Sequence, residues 1–272
     1  MATTCNTDAL LEWFQDPTNR CYFNTDLLTV KKSTISSGVG VFAKKTQIPV
    51  PTEDDEEESN LLLRVHKSMV LSAQTSTISN LLYEHELTGM YGLVLSFIYE
   101  KQLGNKSPWF NYINSINYKD SKGNYILPLC LYSENDKKIL KGTEIEFMDG
   151  LNFIDLKNHF EKSCKFAEKI SKFISIPKCL NLNLNNNDIK EFAAITMAVV
   201  SRAFEIDNYI ELGLVPGADL FNHDAKGEEN VHFVTFGDVC HYCGKADGCW
   251  HDDYGPPDSE DEEDEEEELV DE

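Results

Sequence analysis

The stretches SRAF (residues 201–204) and LVPGADLFNHD (residues 214–224) form the most specific pattern in this sequence. Before the first stretch, apolar residues recur at spacings of three and four from Ile189 to Ala203, which predicts a helix with Asp188 as its N-cap. Residues 212–215, which lead into the second stretch, are strand-like. The pattern therefore places an arginine at the end of an apolar helix and an Asp-x-x-Asn-His group just after a strand.

The chain before this pattern is predicted to be largely helical. Apolar spacings of three and four predict an amphipathic helix from Glu86 to Leu103 and a second long helix from Phe153 to Ile174. Between them, the aromatic cluster WFNYI (residues 109–113) is expected to pack against neighbouring helices.

Short strands dominate both flanks of this helical block. After a short helix at Asp8–Phe14, alternating apolar patterns predict strands at Leu27–Lys31, Gly38–Ala43, Leu61–Val65 and Ser68–Leu71, and a last strand at Val231–Phe236. Because strands and helices occupy separate blocks, the sequence predicts an α+β fold and not a doubly wound sheet.

The negative charge is concentrated in two runs. The formal net charge is −23, but Glu53–Glu58 and Asp258–Glu272 contain eighteen acidic residues and no lysine or arginine, which leaves the remaining body near −5. Such runs repel themselves and are expected to be solvated, either as plain disordered segments or as an attraction for a basic protein partner. No basic patch is visible, which argues against direct nucleic-acid binding.

Several other classes of protein are also disfavoured. No run of about 20 apolar residues predicts a membrane span, and the N-terminus lacks the pattern of a secretory signal. No GxGxxG follows a strand and no Walker sequence occurs, so nucleotide-binding folds of those kinds are not expected. Cys130, Cys164 and Cys179 lie in apolar patterns typical of reduced core cysteines. We therefore expect a monomer located in the cytoplasm or nucleus.

Three separated pieces occur in a characteristic order: SGVGVFA (residues 37–43), WFNYI with a later Leu-Pro and Gly-Thr (109–143), and the SRAF and LVPGADLFNHD pair. Together they resemble the SET-domain protein-lysine methyltransferases of the Rubisco large-subunit methyltransferase type. The last piece is the most specific, and the resemblance covers roughly Asn24 to Phe236. Fungal members that methylate ribosomal proteins or translation factors are the most similar group.

This resemblance implies a SET-domain β-fold of short strands split by a large helical insert. It implies five regions: an N-terminal helix region (1–23), an N-terminal SET portion with an acidic loop at 52–59 (24–80), a helical insert (81–204), a C-terminal SET portion with the Asn-His pair (205–239), and a Cys/His-containing, acidic, disordered tail (240–272). The family completes its active site with a later pseudoknot segment that carries a catalytic tyrosine. Nothing after Phe236 matches that segment.

The same resemblance implies that S-adenosyl-L-methionine is bound by Gly38, Gly40, Phe42, Arg202, Asp219, Asn222 and His223. The glycines let the backbone approach a ligand closely, the arginine can hold the cofactor carboxylate with two donors, and the Asn-His pair serves the ammonium and the adenine. From the residues alone, alternatives stay open. The glycines are also compatible with an ordinary hairpin turn. Arg202 could simply be solvated at the end of a helix, and Asp219 could cap the next turn.

The activity implied is methyl transfer from S-adenosyl-L-methionine to a protein lysine, on a basic ribosomal protein or a translation factor. This displacement requires alignment of three atoms and a desolvated amine, and it requires no metal. Because the catalytic tyrosine segment is unmatched, the chain alone is expected to be inactive. The alternative is a non-catalytic or truncated SET remnant that acts as an acidic protein-interaction module.

A separate group of metal-type ligands follows the SET portion. Cys240, Cys243, Cys249 and His251 offer three thiols and one imidazole, a set that suits tetrahedral zinc, while His241 adds a competing donor. The sequence leaves two possibilities, a structural zinc knuckle or reduced cysteines in a mobile insertion.

Overall fold

The computed structural model describes residues 7–32, 38–45, 48, 61–181, 186–222, 230–235, 239–246 and 248–251. Both acidic runs and His223 lie outside these residues. In the described part the helices are α1 Thr7–Gln15, α2 Ser79–Glu84, α3 Gly89–Leu103, α4 Phe110–Ser115, α5 Glu134–Ile139, α6 Glu144–Phe147, α7 Ile154–Lys169 and α8 Asn186–Val200. The strands are β1 Cys21–Phe23, β2 Leu28–Lys32, β3 Val39–Ala43, β4 Leu63–Val65, β5 Leu71–Ser72, β6 Ala203–Glu205 and β7 Leu212–Leu214.

The strands form three small antiparallel sheets, β1–β4, β2–β3 and β5–β7–β6. In the third sheet β7 is central, and Leu214 pairs with Leu71 of β5 on one side and with Ala203 of β6 on the other. This sheet joins a strand that precedes the helical block to two strands that follow it. The predicted α+β class, with short strands split by helices, is confirmed.

Helix α3 is the centre of the hydrophobic core. Residues 92–100 are all buried, and the helix packs against α4, α7, α8 and the third sheet. At Gly92 a Cβ would stand 2.4 Å from the Leu87 carbonyl oxygen, so only glycine fits. The prediction of an amphipathic helix is therefore wrong, because this helix has no solvent face over those nine residues.

The start of α3 also differs from the predicted one. Glu86 has a positive φ of 53°, which belongs to a turn. The Leu87 N–H donates to the Leu82 carbonyl at 2.9 Å and so closes the end of α2. The segment predicted to begin one helix at Glu86 is in fact the junction between two helices.

Two predicted strands are wrong. Residues 67–69 form a 3₁₀ turn, because the His66 ring accepts from the Ser68 N–H at 3.2 Å, and only Leu71–Ser72 continues as a strand. Among the described residues 230–235 no strand is present. Residues of high β-propensity form a strand only when they pair with a neighbouring strand. Residues 230–235 pair with no strand among the described residues.

The long helices have different ends from those predicted. Helix α7 stops at Lys169, before Ile174. Helix α8 ends at Val200, and Asp188 lies inside its first turn and is not an N-cap. Arg202 therefore lies between a helix and a strand and not within a helix end, because Ala203 already pairs in β6.

The predicted packing roles of the aromatic and cysteine residues are confirmed for most members. Trp109 is 2% exposed and its Nε1 donates to the Met69 carbonyl at 2.8 Å, although Phe110 is partly exposed. Cys130, Cys164 and Cys179 are buried and form no disulfide. Among the described residues, no helix is both long and apolar enough to cross a membrane.

Candidate functional site

Strand β3 touches the loop that follows β7. A Cβ built on Gly40 would stand 3.5 Å from Asn222 Nδ2, 3.6 Å from the Leu220 carbonyl oxygen and 3.6 Å from Phe42 Cε2. These are ordinary contact distances, so any side chain at position 40 would fill the gap between the strand and the loop. Gly38 lies just before β3 and is partly buried.

The loop itself is a short 3₁₀ turn, Ala218–Leu220, entered through Gly217. Gly217 has a φ of +90°, and a Cβ there would stand 2.7 Å from the Phe14 ring, so the entry to the turn requires glycine. Asp219 lies within the turn and Asn222 follows it with an exposed side chain. The interpretation of Asp219 as a cap is therefore not supported.

Arg202 reaches the same turn from the junction of α8 and β6. Its Nε lies 3.4 Å from Asp219 Oδ2, and the aspartate side chain is completely buried while the arginine side chain is 25% exposed. The guanidinium is thus anchored on its inner side. Its Nη1 donates to Ser201 Oγ at 3.1 Å.

Tyr112 of α4 lies near the Arg202–Asp219 pair. It is completely buried, and burial, together with the negative charge of Asp219, raises the pKa of its hydroxyl well above the usual range. The hydroxyl is therefore neutral and can act as a donor toward the nearby carboxylate. Tyr112 Oη, Arg202 Nε and both Asp219 oxygens are buried and make no hydrogen bond of normal geometry to the described residues.

The structure thus brings the predicted residues to one region. Gly40 contacts the turn on one side and Arg202 contacts it on the other, while Asp219 and Asn222 are three residues apart and so at most about 11 Å apart. His223 is next in the chain but lies outside the described residues. Whether these residues bind the cofactor stays a prediction.

The side chains present fit S-adenosyl-L-methionine. The partly exposed guanidinium suits its carboxylate, the exposed Asn222 amide oxygen suits its ammonium, and the bare Gly40 backbone leaves space that a Cβ would fill. Phe42 and Phe221 add apolar surface beside these polar groups. The set combines one cation, one amide and a narrow apolar gap, as an amphoteric ligand requires.

The Asp219 carboxyl gives the site a pH dependence. Burial raises its pKa to about 6, although the Arg202 charge and the Tyr112 hydroxyl act to lower it. A carboxyl with a folded-state pKa above the model value of 3.8 binds more protons when folded, so its contribution to stability falls as pH rises from about 4 to 6.

Substitution Asp219→Asn is expected to remove this dependence. Wild type should lose up to roughly 3 kcal/mol of unfolding free energy relative to the variant between pH 4 and pH 6, at about 1.4 kcal/mol per pKa unit. Urea unfolding of both proteins at several pH values measures the difference, with Asp26→Asn at an exposed position as the control. Parallel curves for wild type and Asp219→Asn would contradict the assignment.

Tyr112 is the residue that sequence analysis missed. Its aromatic cluster predicts packing, and the position of its hydroxyl against Asp219 depends on how α4 packs beneath the turn. The signal in the sequence is the tyrosine hydroxyl on the buried side of α4, beside Ile113 and Ser115. A buried tyrosine usually has a polar partner for its hydroxyl.

The Cys/His group lies elsewhere, beside the turn between β6 and β7. The ligand atoms of Cys240, Cys243, Cys249 and His251 all lie within 4.8 Å of one another. Burial raises the pKa of the Cys240 thiol, but hydrogen bonds from Cys249 and from backbone N–H groups outweigh this effect and lower the pKa to about 6. By contrast, burial raises the pKa of Cys164 and Cys179 to about 12, which keeps both as neutral thiols.

Solved structures share this architecture. Rubisco LSMT bound to AdoMet is 20% identical, with 81% of this chain and 45% of that chain covered and a TM-score of 0.52. The SET domain of LSMT bound to MeLysine and AdoHcy has the same identity and coverage and a TM-score of 0.53. No family model matches the chain. These structures show that the chain has the SET-domain fold of the Rubisco LSMT type.

In sequence, the chain is similar to Ribosomal lysine N-methyltransferase 3 of Saccharomyces cerevisiae, with 34% identity over 228 residues, 79% of this chain and 39% of that protein. An uncharacterised protein of Schizosaccharomyces pombe is 22% identical over 214 residues, 67% of this chain and 41% of that protein. The chain spans about two fifths of the length of these curated relatives.

Proposed function

We propose that this chain forms the S-adenosyl-L-methionine-binding part of a protein-lysine methyltransferase that acts on a ribosomal protein or translation factor. The observation that supports it most is the meeting of Gly40, the Arg202–Asp219 pair and Asn222 at one turn. The similarity to a yeast ribosomal lysine N-methyltransferase agrees with this proposal.

When bound, S-adenosyl-L-methionine supplies a methyl group on a positively charged sulfur. The residues of this chain would hold the two charged groups on the α-carbon of its methionyl part. Arg202, steadied by buried Asp219, would donate to the carboxylate, and Asn222 Oδ1 would accept from the ammonium. Fixing this amino-acid end would help to align the methyl group, and full alignment of the reacting atoms can lower a barrier by about 7–11 kcal/mol in favourable cases.

Asp219 is best understood as a positioning residue. Its side chain is completely buried and its carboxylate contacts Arg202, not solvent. It holds the guanidinium by one nitrogen and leaves the outer N–H groups available. Tyr112 would hold the carboxylate in turn from below.

The proposed partner is a basic protein, and the proposed location is the cytoplasm or nucleus. A chain of net charge −23 attracts basic ribosomal proteins over a distance of about a Debye length.

The accepting lysine must lose its proton before attack, since only the neutral amine carries a lone pair. A monomer that binds no nucleic acid itself suits this role.

Calorimetric titration of the chain with S-adenosyl-L-methionine tests the cofactor site. Wild type is expected to bind one equivalent, and Arg202→Met to bind about 10–150-fold more weakly, since a hydrogen bond to a charged group contributes about 1.5–3 kcal/mol. Arg64→Met in β4, outside the site, is the matched control and should bind as wild type does. Absence of saturable binding to wild type, or equal binding by Arg202→Met, would reject the site.

The alternative function is that of a non-catalytic acidic module that binds other proteins. The two acidic runs favour it, since they comprise eighteen of the 47 acidic residues. The test is transfer of labelled methyl groups from S-adenosyl-L-methionine to isolated ribosomal proteins by the protein purified from its own cells. Transfer supports the enzyme, whereas stable binding to these proteins without transfer supports the module.

A further inference from the structure

The loop that begins at Cys240 is folded into a closed turn. The Gly244 N–H donates to the Cys240 carbonyl at 2.8 Å, and the Cys240 N–H donates to the Lys245 carbonyl at 2.8 Å. Gly244 has a φ of +72°, a conformation that side-chain-bearing residues rarely adopt. This turn places the thiols of Cys240 and Cys243 on the same side.

The chain then returns so that the other two ligands face these thiols. His251 Nδ1 lies 3.6 Å from Cys240 Sγ and 3.9 Å from Cys249 Sγ. In a tetrahedral zinc site with Zn–S near 2.3 Å and Zn–N near 2.0–2.1 Å, the sulfur-to-nitrogen edge is about 3.6 Å. The observed separations are therefore those of ligands around one shared ion.

The competing histidine is directed elsewhere. His241 Nδ1 lies 2.9 Å from the Asn208 carbonyl oxygen, in the turn between β6 and β7. His241 is therefore a docking residue, and His251 is the imidazole that faces the thiols. This agrees with the sequence prediction, in which His251 is the ligand and His241 a competing donor.

The Cys/His segment is docked on that same turn. The Tyr209 ring packs so closely on Gly244 that a Cβ there would stand 2.6 Å from Tyr209 Cδ1. Val239 and Cys249 are 8% and 3% exposed, so the segment has a small buried side. A short segment of this kind buries too little apolar surface to remain folded without a cross-link.

We propose that Cys240, Cys243, Cys249 and His251 bind one structural zinc ion, which folds the segment that carries them and fixes these four residues against the β6–β7 turn. Three thiolates and one imidazole fill the four positions, so the site is closed and takes no substrate. The site is independent of the proposed methyl transfer. Its position is at the opposite end of the β6–β7 hairpin from Arg202 and the turn at 218–220.

Metal analysis of the purified chain tests the proposal. After dialysis under reducing conditions, wild type is expected to hold one zinc per chain, and Cys249→Ser and His251→Ala to hold less than about a tenth of that. Cys21→Ser, a partly buried thiol outside the group, and His241→Ala are the matched controls and should keep one zinc. Wild type without zinc, or His241→Ala losing zinc while His251→Ala keeps it, would overturn the assignment.

Two further measurements use the wild-type protein alone and therefore do not depend on whether a variant folds. X-ray absorption at the zinc edge of wild type should show three sulfur neighbours and one nitrogen, and an added oxygen neighbour would overturn the closed site. Hydrogen exchange of backbone amides in residues 208–211 should speed up when a chelator removes the zinc. Unchanged exchange would overturn the docking role.

Discussion

Replacing Gly40 by valine is expected to reduce S-adenosyl-L-methionine affinity by about a hundredfold or more while the chain remains folded. The valine Cβ would already contact Asn222 Nδ2, the Leu220 carbonyl and the Phe42 ring at 3.5–3.6 Å, and its two methyl groups would fill the gap between β3 and the turn, where the ligand is proposed to bind. A hundredfold loss of affinity corresponds to about 2.8 kcal/mol of binding free energy, at about 1.4 kcal/mol for each factor of ten. The strand itself should tolerate valine, because β-branched residues suit strands, and the thermal midpoint shows whether the adjoining turn does.

Calorimetric titration measures the loss, and the thermal midpoint reports the fold. Val41→Ala is the matched control on the same strand, since side chains alternate and residue 41 faces away from residues 40 and 42. The control should bind the cofactor as wild type does. If Gly40→Val binds with wild-type affinity, then β3 does not form a wall of the cofactor site.

Replacing Leu95 by alanine is expected to lower the free energy of unfolding by about 2–5 kcal/mol, the usual cost of such a cavity in a core. Leu95 lies in the middle of the nine buried residues of α3 and is 0% exposed. Alanine is the best helix former, so any loss must come from packing and not from helix propensity. Total stability is itself only about 5–15 kcal/mol for an ordinary domain, so a large share would be lost.

Ile139→Ala is the control for this prediction. It removes a similar aliphatic side chain from a helix, but Ile139 is 79% exposed, and the loss should stay below about 0.5 kcal/mol. Urea unfolding of the three proteins gives the free energies. Equal losses at the two positions would contradict the central place of α3 in the core.

Helix α3 also shows where sequence reasoning about the fold went wrong. Periodicity located its C-terminal end at Leu103 but implied a solvent face that the helix does not have. An apolar residue every three or four positions is compatible with one packed face or with several. Only the arrangement of α4, α7, α8 and the third sheet around α3 buries the rest.

The separate blocks of predicted strands and helices were sufficient to predict the α+β class. The three motif pieces, of which residues 201–224 are the most specific, predicted the SET resemblance and the glycine, arginine and asparagine of the candidate site. Residue type and spacing carried these predictions, and both can be read directly from the sequence. The four zinc-type ligands were likewise visible as a set. The sequence named His251 as the fourth ligand and His241 only as a competing donor, and the structure groups His251 with the thiols.

Tertiary structure alone decided which groups meet. Asp219 contacts Arg202, 17 positions earlier, and lies near Tyr112, a further 90 positions back, while Leu214 pairs with Leu71 across the whole helical block. Each of these contacts requires a loop to close over many residues, and the energy that closes it comes from the shared core. No residue's immediate neighbours in the chain carry that information.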